Sequence, residues 1–180
     1  MGAYYYLLAS LPSLEFNAPP PLSHEEFLAL CEPWAPARDL TALAAASVEP
    51  PDPDPLSTPR GPLGPVSSFV RGFAWEAALI RAGRLGRQPP PEPSGPMDPD
   101  ARRLAASLFA SGADPLETEI RFSRALWDFL EDLALGHDFD AFALMIYGCK
   151  LLILARTARF DARRGGERLV SLAEGLIHGS

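Results

Sequence analysis

A chain of 180 residues with 47% hydrophobic residues and 20 prolines is long enough to bury one core. Its net charge of −7 is uneven, because residues 1–59 hold eight carboxylates and the single base Arg38 while the remainder balances. Such an acidic chain, with one modest basic segment (Arg60, Arg71, Arg81, Arg84 and Arg87 against Glu76), lacks the contiguous positive surface that binding nucleic acid requires.

The prolines cluster in Ala18–Pro21, Pro50–Pro65 and Pro89–Pro99. Proline has no N–H for a helix interior or sheet centre, so these runs predict stiff connections between periodic segments. Tyr4–Ala9 is a short apolar run that fits either a buried strand or a first helical turn. Ser23-His24-Glu25-Glu26 has capping-box spacing and predicts a helix through Cys31 that buries Phe27, Leu28 and Leu30 or Cys31. A second short helix is expected over Ala37–Ala46.

Val66, Phe69, Val70, Phe73, Ala77 and Ile80 repeat at helical spacing and predict an amphipathic helix from Val66 to about Gly86. Gln88–Pro99 is the best internal boundary, dividing a part over residues 1–87 from a helical block over 100–180. Asp98-Pro99 and Asp114-Pro115 both read as an N-cap followed by Pro at the first helical position. They predict a helix Pro99–Ala110 and one with the apolar stripe Leu116, Ile120, Leu126, Trp127, Leu130 and Leu133, ended by Gly136. Asp138 or Asp140 is expected to cap the next helix, which is apolar almost all round to about Phe160. A last amphipathic helix would use Leu169, Leu172, Ala173, Leu176 and Ile177. The expected fold is all-α, an antiparallel helical bundle with Pro-rich linkers and at most one short N-terminal strand, because short connections favour antiparallel neighbours.

Cys31 and Cys149 are isolated in apolar segments, which fits buried thiols in a reducing compartment and neither a disulfide framework nor zinc. Ala3–Leu11 has no basic region before it and is too short for a signal peptide. The apolar run Phe142–Ala155, about fourteen residues interrupted by Lys150, falls short of the roughly twenty a bilayer span needs, so a soluble chain is expected.

Three groups of residues invite a chemical reading. His137-Asp138-Phe139-Asp140 puts one imidazole and two carboxylates at a helix junction, but carboxylates there serve the following helix N-terminus and His137 suits the preceding C-terminus. Lys150 on an apolar helix could be a desolvated nucleophile; pairing with Asp128, Glu131 or Asp132 is the simpler role. Trp75, Trp127, Phe129 and Tyr147 could line a ligand pocket, though aromatics at helical spacing are more often core. No Gly-rich phosphate loop and no Gly-x-Ser-x-Gly occurs. The expectation is therefore a non-enzymatic chain without cofactor or metal.

Three stretches together resemble a known family. They are Tyr4-Tyr5-Tyr6-Leu7-x-Ala9-Ser10-Leu11-Pro12, then Trp127-x-x-Leu130-Glu131-x-Leu133-x-x-Gly136-His137-x-Phe139-Asp140, then Tyr147-x-x-Lys150-Leu151-x-Ile153-Leu154-x-Arg156. The acidic segment Leu22–Phe27 and the helix Phe69-Val70-Arg71-x-Phe73-x-Trp75-Glu76 are similar too. The chain resembles an uncharacterised bacterial family encoded beside the subunits of V/A-type ATPases. The resemblance implies a cytoplasmic accessory or central-stalk component, peripheral to the membrane's cytosolic face through its complex. Its counterpart would be the stalk protein called C (d in eukaryotes), which couples the central shaft to the membrane rotor ring. Its partners would be the A and B head subunits, the D shaft or the rotor ring, and nucleotide chemistry would belong to A and B. An assembly or regulatory adaptor for the ATPase is the alternative, followed by an unrelated enzyme using Lys150 or His137 and Asp140. The signature residues are Tyr5, Tyr6, Trp127, Glu131, His137, Asp140, Tyr147, Lys150 and Arg156. The basic face with Arg71, Arg81 and Arg84 and the acidic N-terminal part are the candidate interfaces.

Overall fold

The computed structural model describes residues 3–49 and 61–177, with side chains described from Tyr4 to Phe160 within those ranges. Among them are seven α-helices and no strand: α1 (Ala3–Ser10), α2 (His24–Cys31), α3 (Ala37–Ala44), α4 (Gly64–Arg84), α5 (Pro99–Ala110), α6 (Pro115–Ala134) and α7 (Ala141–Ile177). The all-α expectation holds.

The tyrosine run resolves as helix. Tyr4, Leu7, Leu8 and Leu11 recur at i, i+3, i+4 and i+7, and this face packs in one apolar cluster with Leu7 buried. A strand here would have no described neighbour to pair with, whereas a helix satisfies its own backbone. In α2 the capping box forms as expected: Glu26 N–H donates to Ser23 Oγ at 3.1 Å and Ser23 N–H to Glu26 Oε2 at 2.7 Å. Phe27 and Cys31, four residues apart, are buried and Leu28 is half-buried; of the two alternatives Leu30 and Cys31, Cys31 faces the core and Leu30 lies outside. α3 ends two residues before the expected Ala46 and buries Asp39 and Leu43.

Asp98 caps α5 through its side chain, accepting from the Asp100 and Ala101 N–H groups at 2.9 Å each. α4 and α5 run parallel rather than antiparallel. Ser68 accepts from Asp98 N–H at 3.1 Å near one end, Glu76 pairs with Arg102 midway, and Arg84 reaches Phe109 at the other. The intervening Pro-rich segment explains this, because an extended chain of that length can return along the whole of α4. Close approach needs small residues. Ala101 and Ala105 are buried on α5, and a Cβ at Gly72 would meet the Asp98 carbonyl oxygen at 2.6 Å.

α6 and α7 are antiparallel, since Glu131 meets Lys150 while Glu119 meets Arg156. The buried face of α6 is Thr118, Phe122, Ser123, Leu126, Trp127 and Leu130; Ile120, expected in the stripe, is exposed. Asp114 supplies a backbone carbonyl to Thr118 N–H (2.8 Å) but no side-chain cap. α7 corrects one expectation. Its backbone is one continuous helix of 37 residues, so no separate last helix begins after Gly165-Gly166, and the apolar face from Leu169 to Ile177 lies outside the described side chains. Its stretch Ala141–Phe160 is long and apolar enough by length and composition to cross a membrane, with a mean hydropathy of 1.5, and 44% of that apolar window is buried inside the fold, as in the core helix of a globular domain.

Two apolar clusters flank α7. One joins Val48 and side chains of α4, α5 and α6 to Ile146, Cys149, Ile153 and Leu154. The other joins α1, α2 and α3 to Leu144, Met145 and Leu151. The first cluster draws on both sides of the Gln88–Pro99 segment.

Candidate functional site

Four of the nine signature residues, Trp127, Glu131, Lys150 and Arg156, lie on the seam between α6 and α7. Trp127 and Glu131 are one turn apart on α6, and the Trp127 indole N–H donates to Glu131 Oε1 at 2.9 Å. Lys150 from α7 donates to that same oxygen at 3.2 Å, and its ammonium sits 4.8 Å from the Trp127 ring centroid. Of the three acids considered for Lys150, Glu131 is the partner. The lysine hydrogen bond, opposed by partial burial and helped by Trp127, holds the Glu131 carboxyl below its ordinary range. The Lys150 ammonium is thus engaged by a carboxylate and an indole face of the preceding helix rather than presented to a cleft.

One turn and a half further along α7, Arg156 donates to the Val48 carbonyl oxygen at 3.2 Å, pairs with Glu119 of α6 and lies 5.5 Å from the Phe122 ring centroid. A single guanidinium thus ties the segment after α3 to both long helices. Tyr147 donates its hydroxyl to the Pro12 carbonyl oxygen at 2.9 Å, fastening the segment after α1 to α7, and burial raises its pKa.

At the junction of α6 and α7, Gly136 turns the chain with φ of +84°. Asp140 is the α7 cap: its Oδ1 accepts from Ala143 N–H at 2.8 Å, and its Oδ2 lies 2.6 Å from His137 Nδ1. Burial pushes the Asp140 carboxyl up, but the His137 contact and the backbone N–H groups outweigh it and leave it lowered. His137 meets the preceding helix through its backbone N–H, which donates to the Ala134 carbonyl oxygen at 2.9 Å, rather than through its ring. Asp138 is exposed. Among the described residues, no group of three or more His, Cys, Asp or Glu side chains is arranged to hold a metal ion.

The aromatic residues do not converge on a pocket. Phe129 stacks on Phe69 at 4.8 Å, Trp127 meets Phe16 edge-on at 5.6 Å, and Tyr147 lies 5.3 Å from Phe27. A cavity of about 240 Å³ opens elsewhere, between the end of α3 and the start of α4, and is lined mainly by Ala45, Ala46, Leu63, Val66 and Val70. Both thiols are buried, which pushes Cys31 up to about 11 and Cys149 up to about 12, so neither is a ready nucleophile.

Arg71 is not a surface residue as the basic-face reading requires. It is 5% exposed and donates to the carbonyl oxygens of Ser94 (3.0 Å) and Pro96 (3.3 Å), holding the Pro-rich segment against α4. Gly72 beside it gives the room. Arg81 and Arg84 are exposed as expected, and both lie over the Phe109 ring at 5.2 and 5.9 Å. Arg84 also donates to the Phe109 carbonyl oxygen at 2.5 Å, near the C-terminus of α5.

Pro12, Val48 and Glu119 are the partners of these groups, and the sequence does not single them out as such. Only Glu119 carried a signal, as an acid facing the α7 side of a predicted helix. The other two contribute backbone carbonyls, which any residue supplies. Tyr5 and Tyr6 stand apart from the seam, exposed on α1, with Tyr5 4.6 Å from Phe139.

No family model, curated protein or solved structure matches this chain.

Proposed function

We propose that the chain is a non-catalytic accessory or central-stalk component of a bacterial V/A-type rotary ATPase, similar in role to the C (d) stalk protein and acting through protein–protein contacts. It works without a cofactor, at the cytosolic face of the membrane, where it is held by its complex with the A and B head subunits, the D shaft or the rotor ring. The resemblance over Tyr4–Pro12, Trp127–Asp140 and Tyr147–Arg156 motivates the identity of the machine.

One observation carries the non-catalytic part. The charged signature residues Glu131, Lys150, Arg156, His137 and Asp140 each bond to another group of the fold rather than facing a common cleft. Residues so engaged make a stiff body, as a component that transmits force or fixes an assembly requires.

Native mass spectrometry of the ATPase purified intact from its host tests the proposal. A fixed integer number of copies per complex is the expected result. Presence on partial complexes alone would favour an assembly or regulatory adaptor, and absence from both would sink the ATPase reading.

A further inference from the structure

Eight large apolar side chains are exposed among the described residues, and four of them belong to α1 and the turn between α6 and α7: Tyr5 (49%), Tyr6 (66%), Leu135 (78%) and Phe139 (47%). The Tyr5 ring lies 4.6 Å from Phe139 and 5.6 Å from Tyr6, so α1 and the turn present one aromatic surface. The other four, Leu30, Trp34, Leu85 and Ile120, are scattered over α2, the segment after it, the end of α4 and α6. Single exposed apolar residues are ordinary, but a gathered aromatic group marks a contact surface.

The base nearest α1, Arg38, is bound to Asp39, which also accepts from the Tyr4 hydroxyl, and the charges beside Leu135 and Phe139 in the chain that form no ion pair among the described residues are acidic. Between Arg124 and Lys150 the chain has no Lys or Arg, and before Arg38 it has none either. Lys150 is bound to Glu131. Asp132 and Asp138, on either side of Leu135, are exposed and form no ion pair among the described residues.

We propose that this surface docks a basic amphipathic helix of a partner protein. Its apolar face would lie on Tyr5, Tyr6, Leu135 and Phe139, and its Lys or Arg side chains would reach Asp132 and Asp138. Tyrosine faces add cation–π attraction to the carboxylate rim. A strand is a poor occupant because the surface is built from helix and turn and offers no sheet edge. An anionic membrane would be repelled by the same carboxylates. A second copy, docked two-fold, would set those carboxylates against their equivalents. The inference rests on the reading of the chain as a contact protein, and is independent of which machine it joins.

The test titrates a synthetic Leu/Lys amphipathic helix of about eighteen residues, five turns, into the full-length ¹⁵N-labelled chain. The same helix with Glu for Lys serves as control. The expected result is shift changes centred on Tyr5, Tyr6, Leu135 and Phe139, with binding weakened by added salt and absent for the Glu helix. A Tyr6→Ala/Phe139→Ala variant should bind about tenfold or more weakly, as interface aromatics do, and Leu30→Ala/Trp34→Ala should bind as wild type. Shifts centred elsewhere, equal binding of the Glu helix, an unaffected double variant, or self-association through these residues would each overturn the proposal. Peptide binding with the chain absent from the native ATPase defeats only the ATPase reading. No peptide binding at these residues, with the chain present in the native ATPase, defeats only this one.

Discussion

On one side of α7 lie α1, α2 and α3, three helices of eight residues each; on the other lie α4, α5 and α6, of 21, 12 and 20 residues. Helices as short as the first three are not stable alone, because two turns do not offset the cost of nucleation. Their order comes from α7, against which Leu7, Phe27, Cys31 and Leu43 pack with Leu144, Met145 and Leu151. The long helices also hold one another, α4 against α5 through Gly72 and the buried alanines, and α6 against α4 through Phe122 and Phe129 on Phe69 and Phe73. One flank depends on a template and the other is partly self-supporting.

The most severe way to break this contrast is Phe27→Ala. Phe27 is fully buried, and a Cβ on Gly148 of α7 would meet its ring at 3.0 Å. The loss should be about 3–5 kcal/mol, read from urea unfolding, with amide exchange accelerating first in α1–α3. Uniform acceleration across all seven helices would show that the two flanks are a single cooperative unit.

Gly72→Ala strikes the other flank. The new methyl meets the Asp98 backbone, which cannot rotate away, so overpacking of about 1–3 kcal/mol should exceed the about 1 kcal/mol of helix propensity that alanine returns. Gly83→Ala, in the same helix with nothing within 4 Å, should be neutral or stabilising. A stabilising Gly72→Ala, by thermal or urea melts, would mean that α4 and α5 are less closely packed.

Lys150→Met sharpens the seam. Glu131 is largely exposed, so the ion pair is screened, and the methionine keeps the apolar stem over Trp127. The expected loss is below about 1 kcal/mol, with the circular dichroism spectrum unchanged. Loss of the folded state would assign Lys150 a far larger role.

The smallest effect is the pH dependence of the α6–α7 junction. The Asp140 carboxyl is lowered in the fold, so it contributes stability above the ordinary carboxylate range, and that contribution is lost as pH falls through its folded value. Asp140→Asn retains an acceptor for Ala143 N–H but not this titration. Urea midpoints of the two proteins should therefore differ at neutral pH and converge as pH falls below the ordinary carboxylate range. A gap that widens in acid would contradict the assignment.

Local signals in the sequence were legible where they were self-contained. Ser23 with Glu26, and Asp98 with Pro99, specify helix starts through atoms within four residues, and both caps form. The Tyr4, Leu7, Leu8 and Leu11 spacing was present but too short to separate helix from strand. Signals that depend on distant backbone were not legible. Arg71 looks like one more arginine of a basic face until the Ser94 and Pro96 carbonyls are seen folded over it. The parallel α4–α5 pair follows from the path of a proline-rich segment, which composition marks as extended without giving its direction. The continuity of α7 through Gly165-Gly166 goes against the helix-weakening tendency of paired glycines.

The central claim is that the fold engages its charged signature residues internally and works by contact with an ATPase. A low-salt pull-down of the tagged chain from its native host, with recovered proteins identified by mass spectrometry, tests it most directly. Recovery of the A, B and D subunits or the rotor ring is the predicted result, in wild type and in Lys150→Met alike. Recovery of none of them, or an enzymatic activity that disappears in Lys150→Met, would contradict it.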